Sequence, residues 1–396
     1  MRGDQNLGTG RSLNSMDMML DNVSQRPNTP LFVLDGFIVP MSRVLQLDPE
    51  RIEDVVILKD AAATAIYGSR AANGVIVIET KVAPDGALSI NYSGNTTLVL
   101  PDLTDYNMMN AAEKLEFERK VGVYSEGSAT SMNRYNSLLR NVLAGVDTYW
   151  LSQPLRTAWQ QRHSLSAAGG TEVFRYSLNL NAAFSPGVMK QSSNENKGLT
   201  FNMSYRKGRA VVSADLNLNE MTGSNSPYGS FSNYTSVNPY YRMTDDNGAY
   251  LQHLDNYIGA GSTLIGNPLY DANVGIKDGR HSTNIAAGLN IEYRLSDNLR
   301  LTEQVNYSRG MARTERFLPA DHTRFLNQAD KTLKGSYEKS LGEMTSWSSN
   351  LGLNYNQPMG KHLLSLFGNW TIREDRSNYV NLSATGYPDV HMSDFI

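Results

Sequence analysis

Few side chains in this sequence are arranged for acid–base, nucleophilic or metal chemistry. The chain has no cysteine, which excludes thiol nucleophiles and cysteine-based zinc sites. Its six histidines follow no HExxH or comparable ligand spacing. No serine, histidine and acid set can be argued from spacing either. We therefore predict that the protein is not an enzyme and that it needs no cofactor or metal.

Two short motifs resemble ligand-binding loops without completing their patterns. Residues 68–74 (GSRAANG) are glycine-rich but lack the Gly-Lys-Ser/Thr ending of a phosphate loop. Residues 245–248 (DDNG) offer oxygen ligands for Ca²⁺ but lack the spaced further ligands of a full calcium loop. We interpret the first as a structural turn and the second as a β-turn.

The composition indicates a β-rich protein whose polarity is mostly uncharged. Lys plus Arg number 36 and Asp plus Glu 39 in 396 residues, a balance that argues against nucleic-acid binding. Tyrosine supplies 21 residues, and tyrosine and threonine favour strands while asparagine and glycine favour turns. The sequence contains no apolar run near the roughly 20 residues of a membrane helix and no evident signal peptide. Composition alone would suit a soluble β-protein.

The chain changes its pattern near residue 82. Before that point, short apolar runs at residues 31–34, 55–58 and 74–80 predict buried strands. Asp60 is placed to cap a short helix over residues 61–67, with Gly68 at its end. We expect a small α+β unit here.

From about Leu88, apolar and polar residues alternate over unusually long segments. Residues 212–219 (VSADLNLN) and 285–295 (IAAGLNIEYRL) are examples. Alternation of this period puts the two sets on opposite faces of a sheet. The polar set would line a lumen in a barrel, and it includes Asp215, Asn217, Asn290, Glu292 and Arg294.

The lengths of the connections favour a membrane barrel over a soluble sandwich. We predict nine strands, near residues 88–99, 161–169, 172–184, 198–206, 209–222, 281–296, 298–313, 342–357 and 361–375. Every second link is tight, and the links between are longer. Short turns on one side with long loops on the other are typical of outer-membrane β-barrels, whose strands need about 9–11 residues to span. A secreted β-sandwich is the alternative.

The odd number of strands suggests a fragment. Bacterial single-chain barrels have even strand numbers, because an open edge in lipid would leave backbone groups unpaired. Nine strands cannot close by that rule, so we expect further strands in the intact protein.

The first region closely resembles a known family. Residues 30–36 (PLFVLDG) and 52–78 (IEDVVILKDAAATAIYGSRAANGVIVI) resemble the plug signature of the SusC/RagA TonB-dependent outer-membrane transporters. Ala71 stands where the family often has glycine, and Phe32 where tyrosine is common. Residues 147–170 and 267–270 also resemble the family's early barrel, so the likeness covers most of the chain.

The resemblance implies a plug seated in a transmembrane barrel of about 22 strands in the bacterial outer membrane. Residues 1–81 would be the C-terminal part of the plug domain, and residues 82–396 the first part of the antiparallel β-barrel with long extracellular loops. The family imports oligosaccharides or peptides, is energised by the TonB–ExbB–ExbD system, and works with a SusD-like surface lipoprotein. The signal peptide, the TonB-contact segment and the remaining strands would lie outside this sequence.

The candidate site residues come from the resemblance in the plug and from the composition of one loop. The plug signature includes Asp35, Gly36, Lys59, Asp60, Tyr67, Gly68, Arg70 and Gly74. The loop over residues 221–280 is dense in aromatic residues, which offer a sugar or peptide both apolar area and a hydroxyl group. Its candidates for contact with substrate or lid are Tyr228, Tyr234, Tyr240, Tyr241 and Tyr270. These rings could instead only pack the loop. A siderophore or cobalamin TonB-dependent receptor is the other transporter hypothesis.

Overall fold

The computed structural model describes residues 30–34, 37–39, 41, 44, 52–59, 71, 73–80, 86–255 and 264–386. The N-terminal part forms a mixed four-stranded sheet in the order β2-β1-β4-β3. The strands are β1 (Leu31–Leu34), β2 (Phe37–Val39), β3 (Ile52–Leu58) and β4 (Val75–Thr80). β1 and β4 run parallel, while β2 and β3 pair antiparallel at the two edges. Val33 and Val75 are fully buried between them, so the predicted apolar runs form the sheet's core.

A second sheet contains nine antiparallel strands that follow one another in chain order. They are β5 (Gly86–Val99), β6 (Ala158–Gly170), β7 (Phe174–Phe184), β8 (Ser193–Lys207), β9 (Ala210–Ser224), β12 (Lys277–Arg294), β13 (Leu299–Leu318), β14 (Ser336–Met359) and β15 (His362–Thr385). β5 and β15 are the edge strands of this sheet in the described part of the chain. The mainly β fold and the predicted number of strands are confirmed.

The links between these strands alternate between short turns and long loops. Gly208 and Gly360 lie in two of the turns with φ of 59° and 62°, a backbone conformation that glycine adopts readily. The long loops carry α1 (Ala111–Lys120), α2 (Ala129–Leu143), the one-turn helices α3 (Ser232–Thr235) and α4 (Pro268–Asp271), and a small hairpin of β10 (His253–Asp255) and β11 (Ile265–Gly266). In the part of the chain that the structure describes, no helix has the length and apolar character needed to cross a membrane.

The two faces of the nine-stranded sheet differ sharply in polarity. Leu216 pairs with Phe201 on one side and Ala287 on the other, and neighbouring pairs on this face are equally apolar. Asp215, Asn217 and Asn219 lie on the opposite face. The apolar face is the exposed one, since Leu289 is 37% exposed whereas Asn219 is 6% exposed. A water-soluble protein shows the reverse, so the apolar face requires a lipid environment.

The height of the apolar face fits an outer membrane. Along β12 the outward residues are apolar from Tyr293 to Ile285 and become polar at Thr283 and His281. At about 3.3 Å per residue and a tilt of about 40°, this stretch spans roughly 20 Å, close to the roughly 25 Å band of outer-membrane barrels. Ion pairs mark its loop-side border, where Arg309 lies 2.7 Å from Glu343.

Candidate functional site

The long loops pack into one compact body above the sheet, which we call the loop core. Its buried residues come from both of the longest loops, and Tyr234, Tyr240 and Trp150 are at most 3% exposed. Trp150 Nε1 donates to the carbonyl of Asn238 at 3.0 Å, joining the loop between β5 and β6 to the loop between β9 and β12. The members of the loop core are Ala111, Leu115, Tyr124, Leu138, Trp150, Leu151, Tyr234, Val237, Tyr240, Tyr241 and Leu269.

A buried carboxylate lies within the loop core and bonds residues of two loops. Glu118 of α1 accepts hydrogen bonds from the hydroxyls of Tyr124, at 2.8 Å, and Tyr240, at 2.9 Å. Lys114 Nζ lies 3.5 Å from the same carboxylate. Burial raises the pKa of both tyrosines, so both hydroxyls remain protonated donors. The two loops are therefore joined by hydrogen bonds to an ionisable group as well as by apolar contact.

Further polar contacts fix the remaining loop segments. Arg134 of α2 donates from Nε and Nη2 to the carboxylate of Asp255, at 3.0 and 2.7 Å, and the Tyr241 hydroxyl bonds the same carboxylate. Burial raises the pKa of Tyr241 to about 12. Asn267 is fully buried and donates to the carbonyls of Met243 and Leu251. These contacts order the loop without any ligand.

Asp271 connects the loop between β9 and β12 to the loop between β13 and β14. Its carboxylate accepts from the backbone and hydroxyl of Thr323 at 2.8 and 2.6 Å, and His322 Nδ1 lies 3.4 Å away. Burial raises the pKa of Asp271 and lowers the pKa of His322, because both charged forms lose hydration. Three loops thus form one body over the lumen-side face.

Removing the Glu118 carboxylate should loosen this body. We expect Glu118→Ala in the intact receptor to remove the acceptor of two buried tyrosine hydroxyls, of which Tyr240 still accepts from Asn238 Nδ2 at 2.6 Å, at a local cost of about 1–3 kcal/mol for each lost bond. Glu118→Gln keeps an acceptor and should cost less. The measurement is hydrogen exchange of residues 111–150 and 228–245. Glu116→Ala is the matched control, since Glu116 lies on the same helix but pairs with exposed Arg119 and Lys120. Equal exchange rates in the Glu116 and Glu118 variants would contradict this account.

A cavity of about 520 Å³ lies where the loops meet the upper end of the polar face. We call it the upper cavity. Asp278 and Arg316, facing partners on β12 and β13, line one side, with Arg316 Nε 3.6 Å from the Asp278 carboxylate. The opposite side is formed by residues 187–189, 192, 225–226 and 229–230. The volume lies in the range of small-molecule sites. Sequence reasoning missed this cavity, because it depends on residues far apart in the chain.

The candidate tyrosines divide into two groups. Tyr234, Tyr240 and Tyr241 are buried in the loop core, which accounts for their presence without a ligand. Tyr228 and Tyr270 are half-buried, and Lys190 Nζ lies 5.6 Å from the ring centroid of Tyr228. Tyr228 therefore remains the candidate nearest to the upper cavity, since Ser226 and Gly229 line it.

Of the plug signature residues, Lys59 and Gly74 lie within the described part of the chain. Lys59 is exposed at the end of β3, and Gly74 precedes β4 with φ of 94°. Asp35, Gly36, Asp60, Tyr67, Gly68 and Arg70 lie outside the described residues, as does the predicted helix over residues 61–67.

The DDNG motif of the sequence lies within the described part of the chain. Residues 245–248 form the predicted turn, in which Asp245 Oδ1 accepts from the backbone of Asn247 and Ala249 at 2.9 Å. Helices α1 and α2 were not predicted. A signal for α1 is present, since Asn110 and Glu113 form a reciprocal capping box.

Comparison with known proteins agrees with this architecture. Residues 5–75 match the family model described as TonB-dependent Receptor Plug Domain. The TonB-dependent receptor SusC of Bacteroides thetaiotaomicron is 29% identical over half of this chain and 19% of its own length. TonB-dependent receptor P3 of Formosa agariphila is 25% identical over 87% of this chain and 32% of its own length. The chain thus spans less than a third of these curated relatives.

Solved structures show the same fold. The RagAB peptide importer in its closed-closed state matches 91% of this chain and 43% of its own, with a TM-score of 0.70 at 21% identity. The ferric citrate transporter FecA covers 91% of this chain with a TM-score of 0.51 at 10% identity. The sequence relatives are receptors and not enzymes, which confirms the non-enzymatic prediction. Together, the plug match, the relatives and the shared fold support the predicted similarity of this chain to SusC/RagA-type TonB-dependent receptors of the bacterial outer membrane.

Proposed function

We propose that this chain supplies the plug and part of the barrel wall of a TonB-dependent importer of oligosaccharides or peptides. The observation that carries the proposal is the pairing of an outward apolar face with an inward polar wall, joined to a plug sheet. Such a wall encloses an aqueous path through lipid, and a plug closes that path until energy is supplied. We place the boundary between plug and wall at residues 81 and 82.

The relatives and the polarity of the wall support two substrate classes, oligosaccharides and peptides. RagAB is a peptide importer, and its structure matches this chain in fold. The middle of the polar wall presents mainly amide and hydroxyl side chains such as Asn217 and Thr200, which bond each other at 2.9 Å. Amides and hydroxyls bind both sugar hydroxyls and peptide groups. We therefore keep both substrate classes in the proposal.

A SusD-like lipoprotein is the partner we propose at the outer surface. Helices α1 and α2 and the residue after α1 expose apolar side chains, with Phe117 at 46%, Val121 at 58% and Leu143 at 77%. Apolar residues gathered on a loop surface outside the lipid band suit a protein contact. The TonB–ExbB–ExbD system would act from the periplasmic side through the plug. The lipid of the outer membrane is the third partner, at the apolar face.

Energised uptake tests the proposal. Cells carrying the intact receptor should accumulate a fluorescent peptide mixture or an oligosaccharide mixture only when TonB is present. Deleting TonB should abolish accumulation, while surface binding should persist. Accumulation that is independent of TonB, or none from either mixture, would contradict the import function.

A further inference from the structure

We propose that the upper cavity binds a carboxylate group of the transported ligand. The proposal rests on the import function and narrows it to ligands that carry a free carboxylate, either a peptide C-terminus or a uronic acid residue. No residue of the cavity belongs to the plug signature or to the loop core. Two features of the molecule carry the proposal: the charges around the cavity, and the Nε donor of Arg280, which is buried and has no partner among the described residues.

Around the upper cavity three arginines lie near two carboxylates, Asp278 in the lining and Glu338, which pairs with Arg316 in register on β14. Arg316 and Asp278 line the cavity and offset each other at 3.6 Å. Arg280 lies two residues from Asp278 on the same face of β12, next to the lining and not in it. Arg156 reaches the lining backbone from behind, donating to the carbonyls of Gly187 and Ser192 at 3.3 and 3.0 Å. The local excess of positive charge favours an anionic ligand.

A fourth cation, Lys190, follows the lining residue Met189 in the chain. Lys190 Nζ donates to the Gln153 carbonyl at 2.6 Å, while its own carbonyl accepts from Ser226 Oγ at 2.7 Å. Lys190 is thus fixed in place beside the lining residue Ser226. Fixed cations lose little entropy when a ligand binds, so their charge acts on the ligand without reordering.

Arg280 has an unused donor. Its Nε is buried, with no hydrogen-bond partner among the residues that the structure describes. Buried polar atoms are nearly always paired, and a guanidinium is shaped for a carboxylate. Close by on β8, which adjoins β9 opposite β12, Asn194 Oδ1 is likewise buried without a partner in the described chain. A group with carboxylate and hydroxyl oxygens would satisfy both.

Paired ligands test the proposal on the purified intact receptor with its lid protein. The probes are a peptide mixture with free C-termini against the same peptides as C-terminal amides, and oligogalacturonate against its methyl ester. Calorimetric titration should show that the parent receptor binds one of the two carboxylate probes. The Arg280→Gln variant should bind that probe about ten-fold more weakly, because a charge-assisted hydrogen bond is lost. The neutral counterpart of that probe should bind weakly in both proteins. The peptide arm and the uronate arm distinguish the two sources of the carboxylate.

Two further variants make the outcome decisive. Asp278→Asn removes the competing carboxylate, so the carboxylate probe should bind more tightly. Arg300→Gln is the matched control, because Arg300 lies on the same wall but at the short-turn end, where it pairs with Glu292 at 3.4 Å. Unchanged affinity in Arg280→Gln and Asp278→Asn would overturn the proposal, as would the absence of carboxylate binding up to millimolar probe. If Arg280→Gln fails to assemble, Arg316→Gln takes its place.

The import function and the carboxylate site can be disproved independently of each other. Binding by the purified receptor does not depend on TonB. If uptake requires TonB and Arg280→Gln binds every probe as the parent does, the carboxylate site is wrong and the import function stands. If uptake is independent of TonB and Arg280→Gln still loses the carboxylate probe, the import function is wrong and the site stands.

Discussion

Arginine at Leu216 or Leu289 is expected to destabilise the folded intact receptor in lipid by about 2–4 kcal/mol, the cost of a cation near the bilayer midplane. Both positions lie on the apolar face, within a continuous band. Leu216 is flanked by Phe201 and Ala287, and Leu289 by Ala214 and Val305. The guanidinium would have no water and no carboxylate at that depth. Unfolding by urea in vesicles, followed by the heat-dependent gel shift of folded barrels, measures the change.

The chain supplies matched controls one residue away. Asn217→Arg and Asn290→Arg place the same side chain on the inward polar wall, at the same depth and on the same strands. This face holds water or polar plug groups, so the cost should be clearly smaller. Equal damage on both faces would contradict the lipid assignment and would favour a soluble sandwich, in which inner positions of both sheets are dry.

The number and faces of the strands could be predicted because lipid imposes a strict pattern on them. Each outward residue within the band must be apolar, and the lumen side is polar, so the period of two is almost unbroken. The tight turns could also be predicted from the sequence, because Gly208 and Gly360 directly follow the ends of strands. Both features depend on the local sequence and its contact with solvent or lipid.

The strand ends could not be predicted in the same way. β14 begins at Ser336 and β15 ends at Thr385, whereas the sequence predicts a start at residue 342 and an end at residue 375. In the extra residues the outward positions mix charged side chains, such as Lys339 and Arg376, with apolar ones, such as Leu341 and Val380. The apolar pattern is therefore interrupted there although backbone pairing continues. The sequence therefore predicts the height of the membrane band and not the length of the strand.

The candidate site was only partly predictable. The tyrosine-rich loop was recognised as a unit, but only tertiary packing shows that Tyr240 bonds Glu118, which is 122 residues away in the chain. The same holds for the upper cavity, where loop residues near Gly187 meet Arg316. Contacts of this kind have no local signature, since either partner alone would be an ordinary surface residue.

Valine at Gly74 is expected to destabilise the plug by a few kcal/mol, the usual scale for strained core positions. Gly74 has φ of 94°, which side chains with a branched Cβ rarely adopt. A Cβ at this position would lie 3.0 Å from the carbonyl oxygen of Leu58, a backbone atom that cannot move freely. The Gly74 carbonyl also accepts from the Leu31 amide at 3.0 Å, so a shift would disturb both β3 and β1.

A loosened plug inside an intact barrel should leak. Cells with Gly74→Val should admit large antibiotics more readily and should import substrate more slowly, because the plug must seal the barrel and move only when TonB acts on it. Antibiotic susceptibility and energised uptake measure the two effects. Gly368→Val is the matched control, since Gly368 is an exposed sheet glycine whose added Cβ would meet nothing within 4 Å. Strain at Gly74 would disturb the plug sheet directly, because Val75 next to it packs against Val33 in the core of that sheet. A tight membrane with normal uptake in Gly74→Val would therefore show that residues 30–81 do not seal the barrel.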